Sequence, residues 1–235
     1  EDLARADVLH VSPSHHFPSG LVTPVSRRLE LLAWAGQGEK WIIEDDYDSE
    51  FRFDAHPMPA LQALDARGRV IYMNTFSKSL APSIRISYMV LPPGLMADFR
   101  TRLGFYSCTV SSFEQYTLAR FLTEGHFEKH INRMRKFYKA LRNRLLSAIA
   151  ASPLANRLTI LEENAGLHFL LQVDTQLSDD ALVRRCRDAG IHIRSLSSYY
   201  HDAAPNQDTH CLVANYSGLD DAALNALEKA IKEGF

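Results

Sequence analysis

Short apolar runs, each ending in polar or turn-forming residues, recur through the first hundred positions of the chain and read as buried strands. Val8-Leu9-His10-Val11 stops at Ser12-Pro13, Trp41-Ile42-Ile43 at Glu44-Asp45-Asp46, Val70-Ile71-Tyr72-Met73 before Thr75, and Ile86 to Leu91 at Pro92-Pro93-Gly94. Between the first two, Val25 to Ala35 places Leu29, Leu32 and Ala33 against Arg27, Arg28 and Glu30, the pattern of an amphipathic helix closed by Gly36 and Gly38. Ala60 to Asp65 predicts a short helix and Arg67-Gly68-Arg69 a turn into the next strand. Strand, helix, strand, connection, strand is the rhythm of an α/β fold with a mostly parallel sheet.

The pattern then changes. Leu95 to Tyr106 reads as helix, residues 105–112 as a break, and Phe113 to Ala151 as a long helical stretch interrupted at Gly125. Ile131, Met134, Tyr138, Leu141, Leu145 and Ile149 recur at three- and four-residue steps, the buried stripe of a helix. Arg133, Arg135, Lys136, Lys139, Arg142 and Arg144 lack interleaved stacking aromatics and read as its wet face, not a nucleic-acid surface. Beyond it, residues 157–161 and 166–173 predict strands paired around Asn164-Ala165-Gly166. Ser178 caps a helix with Asp179 and Asp180 in its first turn, Leu182, Val183 and Cys186 facing inward, and Gly190 as its stop. Ile191 to Arg194 and His210 to Tyr216 read as strands, and Asp220 caps a last helix striped by Leu224, Leu227 and Ile231. The expected organisation is a sheet domain over 1–95, interdomain helices over 96–150 and a small α+β domain over 151–235.

Composition narrows the class. The 235 residues are 46% hydrophobic with a net charge of −2, enough for a sizeable core and without the basic footprint of nucleic-acid binding. No stretch is long and apolar enough to span a membrane, and Glu1-Asp2 does not open a signal peptide. Cys108, Cys186 and Cys211 are widely spaced and odd in number, which suits a reducing cytoplasm and no disulfide framework. His15 and His16 have no carboxylate or cysteine partner at metal spacing, so no metal is expected.

The chemistry sits where strands stop. Lys78 follows the third strand among small hydroxyl residues, in Thr75-Phe76-Ser77-Lys78-Ser79, with Arg85 seven residues on. A lysine becomes a carbonyl-binding nucleophile when its ammonium is partly desolvated, and hydroxyls with an arginine can hold a phosphate. Carboxylates and Tyr47 stand where the second strand stops. In an open α/β sheet, ligands lie at the carboxyl ends of strands. Pyridoxal phosphate needs this set: a lysine, a carboxylate for the pyridine nitrogen, a donor for the ring 3′-oxygen and a phosphate cradle. Each piece alone is also ordinary loop chemistry.

Three strings carry a family resemblance: Ser12-Pro13-Ser14-His15-His16-Phe17-Pro18-Ser19-Gly20, Glu44-Asp45-Asp46-Tyr47-Asp48-Ser49-Glu50-Phe51-Arg52, and Thr75 to Pro82. Together they resemble the effector-binding domain of MocR/GabR-type bacterial transcription regulators, which is similar to fold-type-I aminotransferases and binds pyridoxal phosphate. The resemblance implies that Lys78 forms the internal aldimine, Asp45 pairs with the pyridine nitrogen, Tyr47 bonds the 3′-oxygen, and Thr75 and Arg85 bind phosphate, with Ser77 and Ser79 as weaker candidates. It further implies an amino acid or amine effector, a homodimer, a bacterial cytoplasmic location, and DNA contact only through a winged-helix module outside this chain.

Two departures from the resembled pattern matter. Phe17 stands where aminotransferases carry the asparagine that helps hold the 3′-oxygen, which favours a sensor over a turnover aminotransferase. The arginine that grips an effector carboxylate aligns with Ser198, leaving Arg194 as the neighbouring candidate and making a GABA-type ligand less expected. The resembled domains also carry roughly a hundred residues ahead of the point where this sequence starts. These include a phosphate-cradling helix start and a ring-stacking aromatic. A truncated chain with weakened cofactor affinity is therefore expected. Three readings stay open at this stage: sensor, aminotransferase, and a dimerisation module without cofactor.

Overall fold

A computed structural model describes residues 2–53, 58–201, 208–219, 223 and 225. Two compact units make up the chain. The first comprises Glu1–His16, Leu21–Glu50 and His56–Arg133; the second comprises Phe17–Gly20, Phe51–Ala55 and Met134–Phe235. The helices expected as a separate connection over 96–150 divide between the units at Arg133 and Met134.

The first unit opens with a short helix α1 (Asp2–Arg5) and a four-stranded sheet in the order β1 (Val8–Val11), β2 (Trp41–Asp45), β3 (Val70–Thr75), β4 (Ser87–Val90). β1, β2 and β3 run parallel, and β4 closes the edge antiparallel to β3. Helices α2 (Val25–Ala35) and α3 (Leu61–Leu64) join these strands, and a single turn of helix, α4 (Phe76–Ser79), follows β3 directly. Side chains alternate across a strand, so register decides which residues share a face. Leu9, Val11, Ile42 and Val70 share one face and pack with Leu31, Trp34, Ala35 and Leu61 from α2 and α3. The other face carries Val8, His10, Ile43, Asp45, Met73, Thr75 and Met89, of which Val8, His10, Met73 and Met89 are exposed.

The buried side of α2 differs from the expected one. Arg28, Leu31, Trp34 and Ala35 are buried, whereas Leu29 is exposed. Trp34 supplies the largest apolar surface and donates its indole N–H to the Leu3 carbonyl at 2.6 Å. Arg28 is fully buried because its guanidinium finds three carbonyls, Thr23, Pro59 and Pro13, at 2.9, 2.7 and 2.7 Å. A buried cation is tolerated when its donors are satisfied in this way.

Helices α5 (Pro93–Leu103) and α6 (Ser112–Thr123) follow in the first unit with no buried residue in either. α7 (His126–Ala150) begins just past Gly125, whose φ of +70° lets the chain break between helices.

In the second unit the α7 stripe Tyr138, Leu141, Leu145 and Ile149 packs with Phe51, Leu167, Phe169 and Tyr216. Arg142 is not on the wet face: it is buried, donates to the Glu163 carbonyl at 3.0 Å and lies over the Phe53 ring. The sheet here is antiparallel, in the order β5 (Leu158–Leu161), β6 (His168–Val173), β8 (Cys211–Asn215), β7 (Arg194–Ser195). The strand expected at Ile191 to Arg194 is reduced to Arg194–Ser195. Ile191 donates its amide to Cys186 as the preceding helix unwinds, and Ile191 and Ile193 pack on Leu182, Cys186 and Leu212. The expected last helix, with Asp220, Leu224, Leu227 and Ile231, lies outside the described residues.

α8 (Asp179–Asp188) is capped by Ser178, which accepts the Ala181 amide. Asp179 is more than a first-turn charge. Buried, it accepts from Ser197 Oγ, Thr209 N, Thr209 Oγ1 and His210 N, tying α8 to the approaches of β7 and β8. Burial alone would raise its carboxyl, but these bonds, led by Ser197, outweigh it and hold the group below the ordinary aspartate value. Its contribution is thus present at neutral pH and fades as pH falls through the lowered value. Asp179→Ala should destabilise the protein by about 2–4 kcal/mol at pH 7, because it orphans buried donors. Urea unfolding followed by near-ultraviolet circular dichroism should show that difference narrowing below about pH 3.9.

Candidate functional site

β2 and β3 run side by side in parallel, with Asp45 opposite Met73, so both strands end at one sheet edge. Alternation then sorts the string Glu44-Asp45-Asp46. Glu44 and Asp46 belong to the covered face, and Asp45 alone belongs to the open one.

The covered carboxylates have structural partners. Glu44 is fully buried and accepts the backbone amides of Leu61 and Gln62 at 2.7 and 2.8 Å, clamping the start of α3. Burial nevertheless raises its pKa, with those amides working against the rise. Asp46 accepts from Ser49 Oγ at 2.7 Å and from Tyr72 OH at 2.8 Å, and Tyr72 in turn accepts from Asn74 Nδ2. Glu50 joins this group: burial, reinforced by the charges of Asp46 and Asp48, pushes its carboxyl up to about 7.

The open-face residues are differently placed. Asp45 is partly exposed, with His10 Nε2 3.7 Å from its Oδ2. Burial raises its pKa; His10 opposes the rise, while Asp46 and Asp48 add to it. A cation brought beside Asp45 would relieve that repulsion, as a protonated ring nitrogen would.

Thr75 ends β3 and caps α4, its Oγ1 accepting the Ser77 amide at 3.1 Å and donating to Ser77 Oγ at 2.9 Å. Arg85, held in the left-handed region at φ +48°, turns its guanidinium to Ser77 Oγ at 3.4 Å. Two hydroxyls and a guanidinium therefore converge next to a helix turn, a donor set for a phosphate. Ser77 belongs to it; Ser79 does not, being buried with its carbonyl accepting from His130 Nε2 at 3.0 Å. Lys78 lies in the same turn and is exposed, so the described residues do not supply the desolvation expected of a carbonyl-binding lysine. The residue types present fit pyridoxal phosphate: an amine, a carboxylate on the open face, a phenol, and a phosphate cradle in which Arg85 joins Thr75 and Ser77 from the segment just before β4.

Tyr47 is half-buried, and burial first, then the charges of Asp48 and Asp45, raises its pKa, so it stays a phenol. Beside it lies a contact that sequence reading missed. His15 Nδ1 is 2.8 Å from Asp48 Oδ2, both side chains buried, and 3.5 Å from Tyr47 OH. Both residues stood in quoted strings, but 33 positions separate them and no spacing rule joins them.

Phe17, Arg194 and Ser198 belong to the second unit. Phe17 packs edge-on against His168 and Tyr199, Arg194 is exposed on β7, and Ser198 donates to the Ser195 carbonyl at 2.7 Å. That unit also holds a cavity of about 730 Å³ with Leu145, Phe169, Leu182 and Arg194 in its wall. Asp45, Tyr47, Thr75, Lys78 and Arg85 do not line it.

These features define a transaminase-type domain, and comparison agrees: residues 3–231 match the aminotransferase class I and II family, to which this chain belongs. It is 42% identical over 214 residues to the uncharacterized HTH-type transcriptional regulator YhdI of Bacillus subtilis (strain 168), covering 91% of this chain and 45% of that protein. It is 36% identical over 228 residues to the probable rhizopine catabolism regulatory protein MocR of Rhizobium meliloti, covering 97% of this chain and 45% of that protein. The chain thus spans about half the length of these relatives. Among solved structures, the kynurenine aminotransferase of Pyrococcus horikoshii in complex with PMP is similar with a TM-score of 0.77 at 29% identity, over 98% of this chain and 57% of that one.

Glu50 gives the site's clearest stability test. Its raised pKa means that the folded state prefers the protonated acid, so stability is full below about pH 4.5 and declines as pH rises towards 7. Glu50→Gln should therefore be more stable than the parent by about 1–3 kcal/mol at pH 8 and equal to it near pH 4.5, read by thermal melts at both pH values.

Proposed function

We propose that this chain is the cofactor-binding, effector-sensing part of a MocR-type transcriptional regulator, holding pyridoxal phosphate at Lys78 and responding to an amino acid or amine. The observation that carries the reading is the placement of Asp45: it is the one carboxylate of its string on the open face, at the edge where Thr75 ends the neighbouring strand. Similarity to HTH-type regulators over more than nine-tenths of the chain supports the regulatory part.

Pyridoxal phosphate supplies an aldehyde that accepts amines and a ring nitrogen whose positive charge a carboxylate can match. The chain's own residues do the rest. Lys78 offers the amine, Asp45 holds a proton at the ring nitrogen, and Tyr47 donates to the 3′-oxygen. Thr75, Ser77 and Arg85 bind the phosphate. With the cofactor held there, its aldehyde end would lie at the Lys78 amine, and that is the chemistry an effector amine would meet. DNA contact belongs to a winged-helix module outside this chain, and the cytoplasm of a bacterium is where such a regulator would act. The proposed homodimer is supported by the segment joining α5 to α6 and the start of α6, where Phe105, Tyr106, Phe113 and Tyr116 are 70–80% exposed. Four such rings expose roughly 600 Å² of side chain, most of one side of a standard protein interface.

Incubation with pyridoxal phosphate, borohydride reduction and peptide mass spectrometry should place the label on Lys78, and Lys78→Ala should lose it. A label spread over surface lysines, unchanged in Lys78→Ala, contradicts the assignment. Adding an amino acid and a keto acid separates sensor from enzyme: a sensor gives at most one equivalent of product, an aminotransferase many.

A further inference from the structure

We propose that the buried Asp48–His15 pair is the positioning element for Tyr47, fixing its phenol so that the hydroxyl proton is donated outward at the sheet edge where Asp45 and Thr75 end. The proposal rests on the cofactor reading above and goes beyond it by assigning residues that would not touch the cofactor.

Three observations carry it. First, the pair is buried and short. His15 and Asp48 expose 1% and 3% of their side chains, and the Nδ1–Oδ2 distance is 2.8 Å. A hydrogen bond to a carboxylate in such surroundings fixes the imidazole so that Nδ1 carries the proton and gives it to Asp48. Second, Tyr47 OH lies 3.5 Å from that same nitrogen, with the ring centroids 6.4 Å apart at 37°. A nitrogen that already donates to Asp48 cannot accept from Tyr47. The imidazole therefore sets the position of the phenol without taking its proton, which stays available to another acceptor.

Third, the loop bearing His15 is itself anchored. Pro13, Ser14 and His15 are buried, and the fully buried Arg28 donates to the Pro13 carbonyl at 2.7 Å. The imidazole is thus a fixed wall and not a mobile side chain. The charges of Asp48 and Asp45, after burial, keep Tyr47 protonated, as a donor requires. With Phe17 packed in the second unit against His168 and Tyr199, Tyr47 remains as the donor to the 3′-oxygen, and its placement matters correspondingly.

The test uses the whole chain with tyrosine carbon-13 labelled at Cζ, and pyridoxal phosphate as the probe. In ligand-free protein the Tyr47 resonance, identified by its loss in Tyr47→Phe, should move in His15→Leu and in Asp48→Asn. It should return towards its original position in His15→Asn, which restores a short donor to Asp48. In loaded protein the pH midpoint of the cofactor's visible absorption band should move by about one pH unit, a tenfold change in proton affinity, in Tyr47→Phe and His15→Leu alike. The double variant should move no further than Tyr47→Phe alone, because a positioning residue acts only through the group it positions. A Tyr47 resonance unmoved in Asp48→Asn, whose near-isosteric change leaves the fold intact by its melt, overturns the proposal. So does a double variant whose shifts add. A parent protein that develops no visible band overturns the cofactor reading instead, and the ligand-free resonance still decides whether the pair positions the phenol.

Discussion

Side-chain alternation along β2 is the constraint on which the rest depends. Three consecutive acids at a strand end would repel one another if they shared one surface. The two-residue period sends Glu44 and Asp46 to the face covered by α2 and α3 and leaves Asp45 on the other. A slip of one residue in the pairing with β3 would exchange these roles, burying the acid proposed to meet the ligand and exposing those that hold the fold. The parallel register Asp45–Met73 is what brings Thr75, and the Lys78 turn behind it, to the same edge.

Four of the buried charges, two in each unit, are matched by backbone. Glu44 takes two amides of α3, Asp179 takes amides of Thr209 and His210, Arg28 gives to three carbonyls, and Arg142 gives to the Glu163 carbonyl. Backbone partners do not titrate, and they connect segments far apart in sequence. Losing one such charge leaves several buried groups unpaired at once, a penalty of a few kcal/mol against a total stability of about 5–15 kcal/mol. The fold is therefore secured in part by polar contacts separate from the open-face residues proposed to meet the ligand.

This separation explains what could be read in advance. The strands, the α7 stripe, the break at Gly125 and the Ser178 cap were legible because each rests on local periodicity or backbone chemistry. The buried side of α2 was not, since counting apolar residues favours Leu29 and Leu32. Trp34 and Arg28 decide the matter through hydrogen bonds to Leu3, Pro13 and Pro59, partners no helical wheel contains. Arg142 was misjudged for the same reason. The strand at Ile191 shortened because its apolar residues serve a helix–sheet core rather than a ladder. At the candidate site, residue types suggested the chemistry; the expectation of Asp45 rather than Asp46 came from the family resemblance, and the register places Asp45 on the open face. The His15–Asp48 contact left no trace in spacing at all.

The distribution of stabilising contacts also explains why the site can sit where it does. Burying Ile42, Val70, Leu61 and Leu31 on one face contributes on the order of 1.5–3 kcal/mol for each side chain. The opposite face carries Asp45, Met73 and Thr75 with much less burial, so little folding free energy depends on its exact chemistry. A carboxylate, a hydroxyl and an amine can then be kept there for a ligand without loss to the core. Where the ligand-facing set does require precision, in the placement of one phenol, the structure builds it from the buried side: a histidine on an anchored loop, held by an acid that the same string provides.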